Sequence, residues 1–82
     1  MIMTAEIAMY PFNEEFKPPI KAYIKKLAAN EHLNITTYPT CTVMIGEFDL
    51  VMDAIRESIA WSHAELGKSV FITKFLPGYE AD

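Results

Sequence analysis

The stretch Asn34–Asp53, NITTYPTCTVMIGEFDLVMD, constrains the fold more than any other part of the chain. Two short extended runs meet at Pro39-Thr40. Thr36, Thr37 and Tyr38 before that point, and Thr42, Val43 and Ile45 after it, suit a pleated surface. Runs this close in sequence form a hairpin. Gly46-Glu47-Phe48-Asp49 then turns the chain, and Asp49 is placed to cap a helix over the periodic segment that follows.

The flanks complete the pattern. Upstream, Met3–Tyr10 alternates, with Ala5, Ile7 and Met9 on one side and Thr4, Glu6, Ala8 and Tyr10 on the other. That is a strand, and Pro11 ends it. Pro18-Pro19 suit a helix start, where a missing N–H costs nothing. Ile20, Tyr23, Ile24, Leu27 and Ala28 then recur at helical spacing as one buried stripe, with Lys21, Lys25 and Lys26 on the solvated face. Asn30 is a candidate left-handed stop.

Downstream of the hairpin the spacing predicts a second helix over 49–66, closed by Gly67. Met52, Ile55, Ile59, His63 and Leu66 share the face expected to meet the sheet. Leu50, Ala54 and Trp61 form a second apolar set, which calls for cover on two sides. A last strand over 69–76 places Val70, Ile72, Lys74 and Leu76 on one face and Phe71, Thr73 and Phe75 on the other.

Strand, helix, strand, strand, helix, strand is the split βαβ order. Right-handed crossovers put both helices on one face of a four-stranded antiparallel sheet, an α+β ferredoxin-like sandwich. At 82 residues it is expected to be one small domain, residues 1–82. The other sheet face is then bare, and neither face of the last strand is polar. A homodimer, or a dimer of dimers, is the expected way to cover it.

Composition narrows the chemistry. A formal net charge of −4, with no long basic run, argues against nucleic acid or an anionic membrane as partner. One cysteine permits no internal disulfide, and no 18-residue apolar span suggests membrane insertion, so a cytoplasmic location is expected. No catalytic residues, metal or cofactor are assigned. Cys41 and His63 carry no nucleophile signature, and two histidines 31 positions apart match no ligand spacing. A copper-chaperone reading wants paired cysteines after the first strand, and an acylphosphatase reading an arginine there; the single arginine is Arg56.

What remains is a set of polar and aromatic side chains near a sheet–helix junction: Tyr10, Thr42, Glu47, His63 and Lys74. Taken singly, each has a structural explanation, as a strand residue, a strand end, a helix-end cation or a snorkelling stem.

The runs AEIAMYPF at Ala5–Phe12, KPPIKAYIKKL at Lys17–Leu27, PTCTVMIGEFDLVMDAI at Pro39–Ile55 and KSVFITKFL at Lys68–Leu76 together resemble the YkoF-like thiamine/hydroxymethylpyrimidine-binding family. The most specific part is a small residue, Thr, three positions, Gly and an acid, here Cys41 to Glu47. Cys41, a weaker donor, stands where the family often has serine. The resemblance implies a non-enzymatic binder, a carrier or buffer for thiamine or its pyrimidine in salvage or uptake. It carries Tyr10, Thr42 and Glu47 over as ligand-binding positions. Thr42 and a carboxylate suit an aminopyrimidine, and Tyr10, Met44 and Phe48 suit its flat faces. His63 completes the expected ligand-binding set of Tyr10, Thr42, Met44, Glu47 and His63. The alternative is an ACT-like oligomeric regulatory or structural module with another small-molecule ligand, or none.

Overall fold

The computed structural model describes residues 1–81. Its elements follow the expected order: β1 (Ile2–Pro11), α1 (Lys17–Ala28), β2 (Asn34–Thr37), β3 (Thr42–Glu47), α2 (Phe48–Leu66) and β4 (Ser69–Pro77). The strands form one antiparallel sheet in the order β2-β3-β1-β4. This is the ferredoxin-like α+β arrangement, with the long β1 and β4 side by side.

Register explains which face each strand buries. Ala5 stands opposite Met44 on β3 and Phe75 on β4, and Ile7 opposite Thr42 and Thr73. Met3, Ala5, Ile7 and Met9 therefore point with Met44 toward the helices. There they meet Tyr23 and Leu27 of α1 and Val51 and Ile55 of α2. Each such fully buried aliphatic side chain contributes roughly 1.5–3 kcal/mol.

Of the five α2 residues expected to meet the sheet, Ile55, Ile59 and Leu66 pack in or against the core, whereas Met52 and His63 do not. Val51, Ala54, Ile55, Ser58 and Ser62 are buried, whereas Met52 and His63 are exposed. The small serines let the helix lie close, and the Ser58 hydroxyl donates to the Ile55 carbonyl (2.9 Å) and pairs with the Tyr23 hydroxyl (2.8 Å). Two polar residues thus occupy the buried stripe, rotating it about one position from the Met52–His63 line. Trp61 is half-buried, and Lys26 of α1 lies over its ring at 5.7 Å, so its cover comes from within the chain.

The ends also differ locally from expectation. Helix α2 begins one residue early, at Phe48, with Glu47 in the cap position and no side-chain cap. Asp49 sits in the first turn, where its charge complements the helix dipole. Asn30 is not left-handed; its side chain accepts a hydrogen bond from the His32 N–H (2.9 Å). Gly67 does adopt positive φ (+86°) after α2. Residues beyond β4 fold back over the start of β1: Thr4 donates to the Tyr79 carbonyl (2.7 Å) and accepts from the Ala81 N–H (3.0 Å).

Candidate functional site

The sheet opens at one end. Pairing between β1 and β3 stops at Ile7 and Thr42, whereas β1 and β4 remain paired to Pro11 and Ser69. The reason lies in the sequence: Tyr38-Pro39-Thr40-Cys41 carries the chain from β2 to β3 before β1 has ended. The Tyr38 N–H closes this connection on the Cys41 carbonyl (2.8 Å). On its β3 side, the backbone of Ala8–Tyr10 is left without a strand partner among the described residues. In an antiparallel ladder alternate residues aim both their N–H and C=O to the same side, so this edge offers a donor and an acceptor together.

A cavity of about 290 Å³ fills the gap. Its walls are the end of β1, the 38–41 connection and the first half of α1, with Tyr10, Phe16 and Tyr38 at the rim and Tyr23 deeper. Tyr23 is held against Phe71, ring centroids 5.2 Å apart and tilted. The Thr42 hydroxyl, buried on the helix-facing side of β3, supplies a side-chain polar group, 3.3 Å from the Thr37 hydroxyl. The volume falls at the lower end of small-molecule sites, about 300–1,000 Å³, and the pattern of apolar walls with few polar groups is typical of them.

Of the five expected ligand-binding residues, the structure brings Tyr10 and Thr42 together. Met44 is fully buried in the core and does not line the cavity. Glu47 lies at the far end of β3, five residues and about 16 Å from Thr42, where its carboxylate accepts a hydrogen bond from the Met1 amino group (3.0 Å). His63 is exposed on α2, and the cavity's helical wall is α1 alone. Phe16 and Tyr38 also line the cavity without a sequence signal for it, together with Ile20 from the buried stripe of α1 and Cys41 from the start of the family-like pattern. Phe16 and Tyr38 sit in connections, where an aromatic residue carries no periodicity to betray it.

Cys41 borders the cavity, and its thiol points to Glu6 (Sγ to Oε1, 3.5 Å). Burial first, and the Glu6 carboxylate second, push that thiol above its usual range. It stays protonated near neutral pH and is a poor nucleophile. Glu6 in turn pairs with Lys74 (2.8 Å), which holds its carboxyl below the ordinary carboxylate range. Among the described residues no group of three His, Cys, Asp or Glu side chains is arranged to hold a metal ion. Among them, too, no helix is long and apolar enough to cross a membrane.

No protein-family model matches the sequence, and no curated protein matches it. Solved structures do. Protein SP2199 of Streptococcus pneumoniae superposes with a TM-score of 0.88 at 22% identity, over 96% of this chain and 89% of that one. TM0486 of Thermotoga maritima, whose proposed role is thiamine biosynthesis or salvage, gives 0.82 at 21% identity over 92% and 82%. The hypothetical protein MJ1052 of Methanocaldococcus jannascii gives 0.79 at 18% over 99% and 84%. At such identities the likeness establishes the fold.

Proposed function

We propose that this chain is a non-enzymatic binding protein for thiamine or its hydroxymethylpyrimidine moiety, a cytoplasmic carrier or buffer in thiamine salvage or uptake. The observation that supports this most is the coincidence, around one cavity, of a buried hydroxyl at Thr42, a free β1 edge and the aromatic residues Tyr10, Phe16 and Tyr38. An aminopyrimidine is flat, with ring nitrogens that accept and an amino group that donates. A strand edge offering one N–H and one C=O meets both needs, and the rings cover its faces. The thiazolium cation of thiamine is favoured beside an aromatic rim and a chain of net charge −4. The role proposed for the Thermotoga protein points to the same ligand class. A protonated Cys41 with no histidine beside it speaks for binding rather than catalysis.

Isothermal titration with thiamine, with 4-amino-5-hydroxymethyl-2-methylpyrimidine and with a panel of amino acids tests the reading. Saturable heat with the first two and none with the amino acids is expected. Binding of an amino acid in their place overturns it in favour of an ACT-like sensor.

A further inference from the structure

Proteins hold a phosphate group with cationic side chains, or with backbone N–H groups that converge at a helix start or a tight loop. The cavity adjoins a helix start and a tight loop, and both are poor in donors. Among the described residues, those that line it include no Lys, Arg, His, Asp or Glu. The lysines of α1, Lys17, Lys21, Lys25 and Lys26, are exposed and outside the lining. Burial raises both the Tyr23 phenol and the Cys41 thiol above their usual ranges, so neither adds a charge near neutral pH.

Helix α1 starts at the cavity, where Phe16 and Ile20 line it. The first turn of a helix ordinarily offers unpaired N–H groups and favours an anion. Here Pro18 and Pro19 have no N–H to offer, and the Ile20 N–H is bonded to the Phe16 carbonyl (3.3 Å). Across the cavity, the Tyr38 N–H is committed to the Cys41 carbonyl (2.8 Å), and Pro39 again has none. Prolines thus stand on both walls that could otherwise have cradled an anion. Outside the rim, Glu14 and Glu15 adjoin Phe16 against the single charge of Lys17, in a chain of net charge −4.

We infer that the cavity separates a flat heterocyclic alcohol from its own phosphate ester, binding the first and rejecting the second. This rests on the ligand reading above and sharpens it. A hydroxymethyl group meets neutral walls and the Thr42 hydroxyl. A phosphoryl group on the same oxygen brings roughly 1.5 to 2 negative charges to a place with no counter-charge. Its lost hydration is then not repaid. The cargo is the form that precedes phosphorylation, and phosphorylation takes it out of this protein's reach.

The experiment titrates 4-amino-5-hydroxymethyl-2-methylpyrimidine and its monophosphate into the parent chain, Thr40→Lys and Tyr38→Lys at one pH and ionic strength. In this ester the phosphate hangs on the ring's own methylene, so it cannot stay in solvent while the ring is inside. The parent is expected to prefer the alcohol by about a hundredfold or more. Thr40 and Tyr38 are exposed and line the cavity, so a lysine at either position places an ammonium at its edge. Each variant, checked by circular dichroism, is expected to narrow the preference about tenfold. A parent that binds the ester as tightly as the alcohol overturns the selectivity and leaves the ligand reading standing. A preference that neither lysine narrows overturns the charge argument, exclusion then being by size. Absence of binding by both compounds overturns both readings.

Discussion

Ile7 faces Thr42 as the last pair between β1 and β3, and past that pair the two strands part. A buried hydroxyl thus sits at the point where a sheet stops being a sheet. Elsewhere in the ladder it would be an ordinary strand residue. Here it borders a cavity on one side and the Thr37 hydroxyl on the other.

Thr42→Val keeps the shape and removes the hydroxyl. One lost hydrogen bond costs about 0.5–1.5 kcal/mol, a few-fold to tenfold in affinity, and more if the ligand group is left buried and unpaired. Thiamine titration is expected to show that loss with the far-UV spectrum unchanged. Undiminished binding would remove Thr42 from the site.

Glu47→Gln and His63→Ala make the opposite comparison. Both side chains are exposed and outside the cavity wall, so thiamine affinity is expected to stay within twofold of the parent. A large loss in either would move the site to the far end of β3 or onto α2.

Ser62 is fully buried, and its hydroxyl has no hydrogen-bond partner among the described residues. Removing an unsatisfied buried group relieves a desolvation penalty. Ser62→Ala is expected to be neutral or stabilising by about 1 kcal/mol, read from the urea midpoint. Clear destabilisation would show that the hydroxyl has a partner in solution.

Burial raises the Tyr23 phenol above its ordinary value, and the Ser58 hydrogen bond only partly offsets this. The sign follows directly. A neutral group with a raised folded-state pKa lends stability fully present below pH 10 and lost as pH rises beyond it, since the unfolded chain ionises first. Tyr23→Phe is expected to lose about 0.5–1.5 kcal/mol at neutral pH and to show a weaker fall in melting temperature above pH 10. Equal alkaline sensitivity in both proteins counts against Tyr23 as the responsible group.

At Gly46 a methyl group would come within 2.5 Å of the Leu33 Cδ2. That atom ends a flexible side chain and can give way, so Gly46→Ala is expected to cost about 1 kcal/mol, the low end of overpacking. Leu33→Val in the same chain should recover part of it. A substitution without cost would mean that Leu33 moves freely.

Much of this was legible in the residues. Alternation in Met3–Tyr10 and in Ser69–Leu76 assigns every side chain of those strands to the face it occupies. Pro18-Pro19 and Gly67 mark a helix start and a helix end as expected. The buried face of α2 was legible at Ile55, Ile59 and Leu66 but not at its other positions. Apolarity alone selects Met52 and His63, whereas the packed face carries Ser58 and Ser62, whose merit is small size and a hydrogen bond to Tyr23. The lining of the cavity was half legible for a related reason. Gly46 and Glu47 lie at the end of β3 remote from the cavity, where Leu33 crowds Gly46 and Glu47 precedes a helix, so only the Thr42 end of that pattern touches the cavity. Aromatic residues in connections, Phe16 and Tyr38, depend on how the loops close, which no local period records.

The four-residue connection that splits β1 from β3 has a consequence for how such a protein diversifies. The core that holds the fold together is assembled from Met3 to Met9, Met44 and the helix stripes, whereas the cavity rim is drawn from a loop and a helix start. Exchanging residues at 38–41 or at Phe16 reshapes the cavity at little cost to folding. A lineage can thus keep the scaffold while its specificity drifts, and shared architecture at about one-fifth identity is no guarantee of a shared cargo.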